Sequence, residues 1–177
     1  MLISIGGLPA SGKTTLARAL RAEVGGLHVR IDTIEQAIVD AGLSRQELGA
    51  SGYSVGYAIA GDALSQGLVA VIAESVNPLE VTRDAWRDVA RAAGVRCVEV
   101  EVVCSDPVVH ERRVASRSVD IAGLEMPSWK AIQERTYEPW SREHVVIDTA
   151  DRSVAACVED ILTVIRPRTT SGRIASR

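Results

Sequence analysis

The stretch "ISIGGLPASGKTT", residues 3–15, decides the fold. A short apolar run meets two glycines, a turn and a lysine, and then continues as the amphipathic pattern "KTTLARALRAE". Residues 7–14 match G-x-x-x-x-G-K-[ST] at every position. Gly7 and Gly12 let the backbone curl, so that the N–H groups of Pro9's neighbours, Ala10 and Ser11, turn inward toward phosphate oxygens. The helix that follows adds its partial positive charge through Lys13, Thr14 and Thr15. In this pattern Lys13 reaches the β- and γ-phosphates, and the Thr14 hydroxyl joins the shell of a magnesium ion. The motif implies a nucleoside triphosphate, ATP, with Mg2+. It does not by itself choose among hydrolases, switches and kinases.

Composition narrows the class. The 177 residues carry 46% hydrophobic and 24% charged side chains, which suits one domain with one buried core. A net charge of -3 argues against bulk nucleic-acid binding, although a local basic groove stays possible. Arginine supplies nearly all the basic charge, with lysine only at positions 13 and 130, which sets Lys13 apart. No apolar run approaches the ~18 residues of a membrane span. The N-terminus lacks the basic flank of a signal peptide. Cys97, Cys104 and Cys157 have no metal-ligand spacing and read as reduced thiols of a cytoplasmic protein.

Short apolar runs at 2–5, 27–31, 68–73, 95–103 and 144–147 alternate with helical patterns near 13–23, 33–41, 51–66, 78–93, 107–118, 128–138 and 152–165. Such alternation predicts an α/β fold of three layers, a parallel sheet with helices on both faces. Residues 1–165 form the predicted domain, and the polar, basic stretch 166–177 is expected to fray. In "NPLE" Asn77 is placed to cap a helix with Pro78 at its first position, and "SDP" and "PS" give similar starts at 105–107 and 127–128. Residues 118–127 lack periodicity and read as a mobile loop between two helices.

Several side chains are candidates for the receiving end of a phosphate. Asp32 closes the second strand, where it can take a proton from an attacking hydroxyl or simply cap the next helix. Glu74 ends an apolar run, as a magnesium-organising carboxylate does, or is a strand-end charge. Asn77 and Arg83 follow closely; Arg83 either reaches an anionic substrate or is a solvated arginine. Trp86 lies in a helical core stripe with Leu79, Val89, Ala90 and Ala93. Arg113 and Arg117 are four apart on one helical face, just before the irregular segment. They suit a lid that neutralises charge on a transferring group, or a solvated face.

Together the loop at the first strand, the acid after the second, R-x-x-x-R before a short lid and the closing "VVIDTA" resemble the small P-loop kinases. That group includes gluconate kinase, chloramphenicol phosphotransferase, adenylylsulfate kinase and the polynucleotide kinase domains. The run "WKAIQERTYEPW" (129–140) is similar to one in bacterial single-domain proteins labelled AAA-type ATPases. The resemblance spans residues 3–165. It implies a P-loop NTPase fold with a five-stranded sheet in the order 2-3-1-4-5. It also implies Asp32 as the acceptor-activating acid, Arg113 and Arg117 as lid arginines, and an adenine loop with Thr149 and Arg152. Glu74 stands where many relatives have aspartate, and Glu35 breaks the D-x-x-R spacing of polynucleotide kinases. The implied activity is transfer of the γ-phosphoryl group of ATP to a small-molecule hydroxyl. The alternatives are a nucleotide or polynucleotide 5′-hydroxyl kinase and a regulatory ATP-binding hydrolase.

Overall fold

The computed structural model describes residues 1–166, so all but the first residue of the basic stretch 166–177 lies outside the described residues. Five parallel strands run in the order β2-β3-β1-β4-β5, as the resemblance implies. They are β1 (Leu2–Gly6), β2 (Leu27–Arg30), β3 (Val71–Glu74), β4 (Cys97–Val103) and β5 (Val145–Asp148). The helices are α1 (Lys13–Val24), α2 (Ile31–Asp40), α3 (Ser51–Ser65), α4 (Glu80–Ala92), α5 (Pro107–Ser116), α6 (Trp129–Gln133) and α7 (Val154–Ile165).

The central strand explains the layers. All five residues of β1 are buried, and successive side chains point to opposite faces. Ile3 and Ile5 join Leu16 and Leu20 of α1 and Ile161 of α7 in one core. Leu2 joins Val71, Ala60 of α3 and Trp86 of α4 in the other. Trp86 is fully buried with its ring edge-on to Tyr57, as its place in the helical stripe predicts.

Local start signals hold where the side chain itself supplies the cap. Asp106 accepts from the backbone N–H groups of Val108 and Val109, with Pro107 in the first turn of α5. Ser128 accepts from the N–H of Ala131 and opens α6.

Three expectations need correction. Asn77 is no helix cap, because α4 begins at Glu80 behind Leu79. Asn77 is instead fully buried in the left-handed region (φ 53°), its amide reaching the Ser4 hydroxyl at 3.3 Å. The helix expected over 128–138 ends at Gln133, and "RTYEPW" crosses over α4 as irregular chain. Arg83 is not solvated: its side chain is 1% exposed and lies away from the cavity described below. Its guanidinium donates to the carbonyls of Asn77 (3.2 Å), Pro78 (3.0 Å), Glu138 and Pro139 (3.1 Å). It also lies over the Trp140 ring, 4.6 Å from the centroid.

Arg83 therefore clips the start of α4 to the 135–140 run through four carbonyls; that of Pro78 also accepts from the Glu138 N–H at 2.8 Å, and the other three have no helix or strand to pair with. Trp140 reaches further, because a Cβ on Gly6 would sit 3.1 Å from its ring and 3.2 Å from Cβ of Asn77. Arg83→Met is expected to lower unfolding stability by about 3 kcal/mol, since it strands the Asn77, Glu138 and Pro139 carbonyls in a dry site. Urea denaturation with and without nucleotide checks this, and nucleotide affinity is expected to stay unchanged.

Candidate active site

The loop between β1 and α1 takes its shape from three residues with positive φ: Gly7 (141°), Ala10 (63°) and Gly12 (105°). Gly7 admits no side chain, because a Cβ there would lie 2.2 Å from the Val102 carbonyl oxygen on β4. His110 of α5 donates from Nε2 to the Pro9 carbonyl at 2.8 Å and fixes the loop from outside. The Thr149 hydroxyl lies 2.7 Å from the Ser11 carbonyl and fixes it from beside β5.

Lys13 opens α1 with its ammonium on the Leu8 carbonyl at 2.8 Å. Burial pushes its pKa down to about 8, while Glu74 and Asp32 act in the opposite direction. The Thr14 hydroxyl donates to Oε1 of Glu74. Glu74 is 2% exposed, and its Oε2 lies 2.8 Å from Nε2 of His28. Burial alone would raise this carboxyl; the hydrogen bonds from His28 and Thr14 and the charge of Lys13 hold it below its ordinary value. Thr14 and Glu74 thus present adjacent hard oxygen donors beside the phosphate cradle, which suits Mg2+. Among the described residues no group of three or more His, Cys, Asp or Glu side chains comes together as a metal site.

A cavity of about 680 Å3 opens over the loop. Pro9, Ala10, Gly12, Lys13, Thr14 and Thr15 form its floor. Asp32, Glu74, Arg113, Arg117 and Arg152 of the anticipated residues also line it. Gly7 and Ser11 shape the loop without lining the cavity, and Asn77 and Arg83 lie away from it. Asp32 sits in the first turn of α2, not at its cap, and its nearest charged partner is Arg30 at 3.9 Å. The two lid arginines part company. Arg113 is spent on Thr149, donating to its hydroxyl at 2.7 Å and its carbonyl at 2.6 Å. Arg117, at the end of α5, faces the cavity within the field of Lys13. Arg152 pairs with Asp160 at 2.7 Å.

Residues 118–127 are irregular, as expected, but pinned. Asp120 accepts from Arg18 and from Nη1 of Arg30, and Arg45 donates to the Gly123 carbonyl at 3.2 Å. Arg30, His28 and Asp120 were not anticipated. The period-two alternation of β2 carries the only signal for the first two: His28 and Arg30 share a strand face, and Arg30 lies opposite Glu74 in register. No helix among the described residues is long and apolar enough to cross a membrane. The three cysteines are free thiols.

A family model described as an AAA domain matches residues 2–139. No curated protein matches the sequence. Three solved structures illustrate the fold. Mycobacterium tuberculosis APS kinase in complex with AMPPNP and APS is 17% identical, with a TM-score of 0.66 over 93% of this chain and 96% of that one. Chaetomium thermophilum Kti12 in complex with ADP-AlF3 is 23% identical, with a TM-score of 0.65 over 94% and 100%. A gluconokinase from Sinorhizobium meliloti is 20% identical, with a TM-score of 0.62 over 91% and 89%. At these identities the likeness concerns the fold. The chain belongs to the AAA domain family and has the fold of the small P-loop kinases.

Proposed function

We propose that the protein is an ATP-dependent phosphotransferase that moves the γ-phosphoryl group to a hydroxyl of a small-molecule acceptor. One observation carries this reading: a single cavity joins the Lys13–Thr14 cradle to the carboxylate of Asp32, with Arg117 at its rim. A carboxylate lining the same cavity as the cradle is placed to take a proton from an acceptor hydroxyl. Fold neighbours named gluconokinase and APS kinase support a small acceptor over a polymer.

In this reading the N–H groups of Ala10 and of Gly12, Lys13 and Thr14 bind the phosphates, and Lys13 leaves the Leu8 carbonyl for the β- and γ-oxygens. Mg2+, when bound with ATP, screens the phosphate charge; Thr14 and Glu74 are the residues that would hold it. Asp32 orients the acceptor hydroxyl and takes its proton as the acceptor oxygen bonds to the γ-phosphorus. The bond from that phosphorus to the β,γ-bridging oxygen breaks, and ADP leaves. Arg117 neutralises charge on the transferring group. Arg113, through Thr149, braces the loop that faces the base.

Asp32→Asn is expected to bind ATP as the parent protein does and to lose about a hundredfold or more in transfer rate. Phosphorylation of a panel of metabolites, nucleoside monophosphates and 5′-hydroxyl oligonucleotides identifies the acceptor. Full turnover by the variant would remove Asp32 from the mechanism. A second outcome follows from Lys13, whose charge is half lost at about pH 8 and continues to fall above it. Affinity for metal-free AMPPNP is therefore expected to fall by up to about tenfold per pH unit above that point. Calorimetry across the range checks it, and a flat profile would show that Lys13 does not set the affinity.

A further inference from the structure

Arg30 is a buried arginine among acids. It ends β2, and in the sheet register it lies beside Glu74. Only 7% of its side chain is exposed. Three carboxylates surround the guanidinium. Nη1 donates to both oxygens of Asp120, at 2.9 and 3.1 Å. Nη2 lies 3.9 Å from Oδ2 of Asp32, and Nε lies 3.8 Å from Oε1 of Glu74. Nε and Nη2 are buried and have no hydrogen-bond partner among the described residues.

A guanidinium is a rigid planar fork, so its nitrogens cannot be aimed one at a time. Whatever fixes Nη1 also fixes the direction of Nε and Nη2. The residue fixing Nη1 is Asp120, which comes from the irregular segment over the cavity and not from the sheet. Asp120 is held ionised: the Arg30 hydrogen bond, opposed by burial and aided by Arg18, brings its pKa down to about 2. The other grip on Asp120 is different in kind, since the Arg18 side chain is 60% exposed and touches neither Asp32 nor Glu74.

We infer that Arg30 is a positioning residue that couples the 118–127 segment to the transfer site. Its Nη1 end reads whether Asp120 is docked, and its Nε and Nη2 ends set the carboxylates of Glu74 and Asp32. The docked segment thus acts, without touching it, on Oε1 of Glu74, the oxygen that accepts from Thr14 and would help hold Mg2+. Beyond this local geometry, the inference rests on the nucleotide site proposed above.

Two measurements on the full chain test it. Asp120→Asn is the first variant, because the residue is exposed enough to change without loss of fold; Arg30→Lys is the second, keeping charge but not the fork. Both are expected to speed hydrogen exchange across residues 118–127. Both are also expected to cut the gain in AMPPNP affinity that Mg2+ confers by about tenfold, as loss of a residue that orients a ligand does. Affinity in EDTA is expected to stay at the parent value. Arg18→Ala is expected to loosen the segment while changing the Mg2+ gain less than Asp120→Asn does.

Faster exchange with an unchanged Mg2+ gain would overturn the coupling and leave Asp120 a mere clip. Unchanged exchange in Asp120→Asn would overturn the docking itself. Equal loss of the Mg2+ gain in Arg18→Ala and Asp120→Asn would show that the segment acts as a whole and not through Arg30. A parent protein that binds no AMPPNP overturns this inference together with the proposed function. Parent binding with unaffected variants overturns this inference alone.

Discussion

The burial of one ammonium group organises this molecule. Lys13 is 8% exposed at the head of α1, where water cannot solvate its charge. A dry cation needs acids near it, and Glu74 at the end of β3 and Asp32 in the first turn of α2 meet that need. Those acids need partners in turn. Glu74 takes hydrogen bonds from Thr14 and His28, and Arg30 stands between it and Asp32. Arg30 then takes Asp120. Each step answers the charge left by the previous one, and the sequence of answers runs from the sheet to the segment over the cavity.

That arrangement explains which features can be read from the chain and which cannot. The residues of the loop before α1 are consecutive, and their constraint is local: Gly7 has no room for a Cβ, and Gly12 has positive φ. Asp106 and Ser128 are legible for the same reason, since a cap bonds to its own helix. The order of strands, by contrast, is not a local property and came from resemblance. Arg30 and Asp120 are 90 positions apart, and nothing in either neighbourhood announces the other.

Asn77 and Arg83 show how a sound local rule fails. Asn-Pro followed by Glu is a regular helix opening, yet the backbone N–H of Asn77 goes to the Tyr53 hydroxyl and its side chain to Ser4. Tertiary partners outcompete the cap, and α4 starts later. An arginine early in a helix is usually solvated, but here the 135–140 run folds back and supplies carbonyls that need a donor. The run that shares in the family resemblance therefore does mechanical work through its 137–140 end, while Arg135 lines the cavity.

The contact between Gly6 and Trp140 ties that mechanical work to the cradle. Gly6 is the last residue of β1, and the indole of Trp140 fills the volume a larger residue would take. The two positions, more than a hundred residues apart, share one fixed volume. Descent with modification is therefore constrained jointly: a side chain can grow at position 6 only where the ring at position 140 gives way and the backbone carrying Asn77 shifts with it. Across relatives the sizes at these positions should vary inversely, a steric inheritance that leaves the chemistry of the loop untouched.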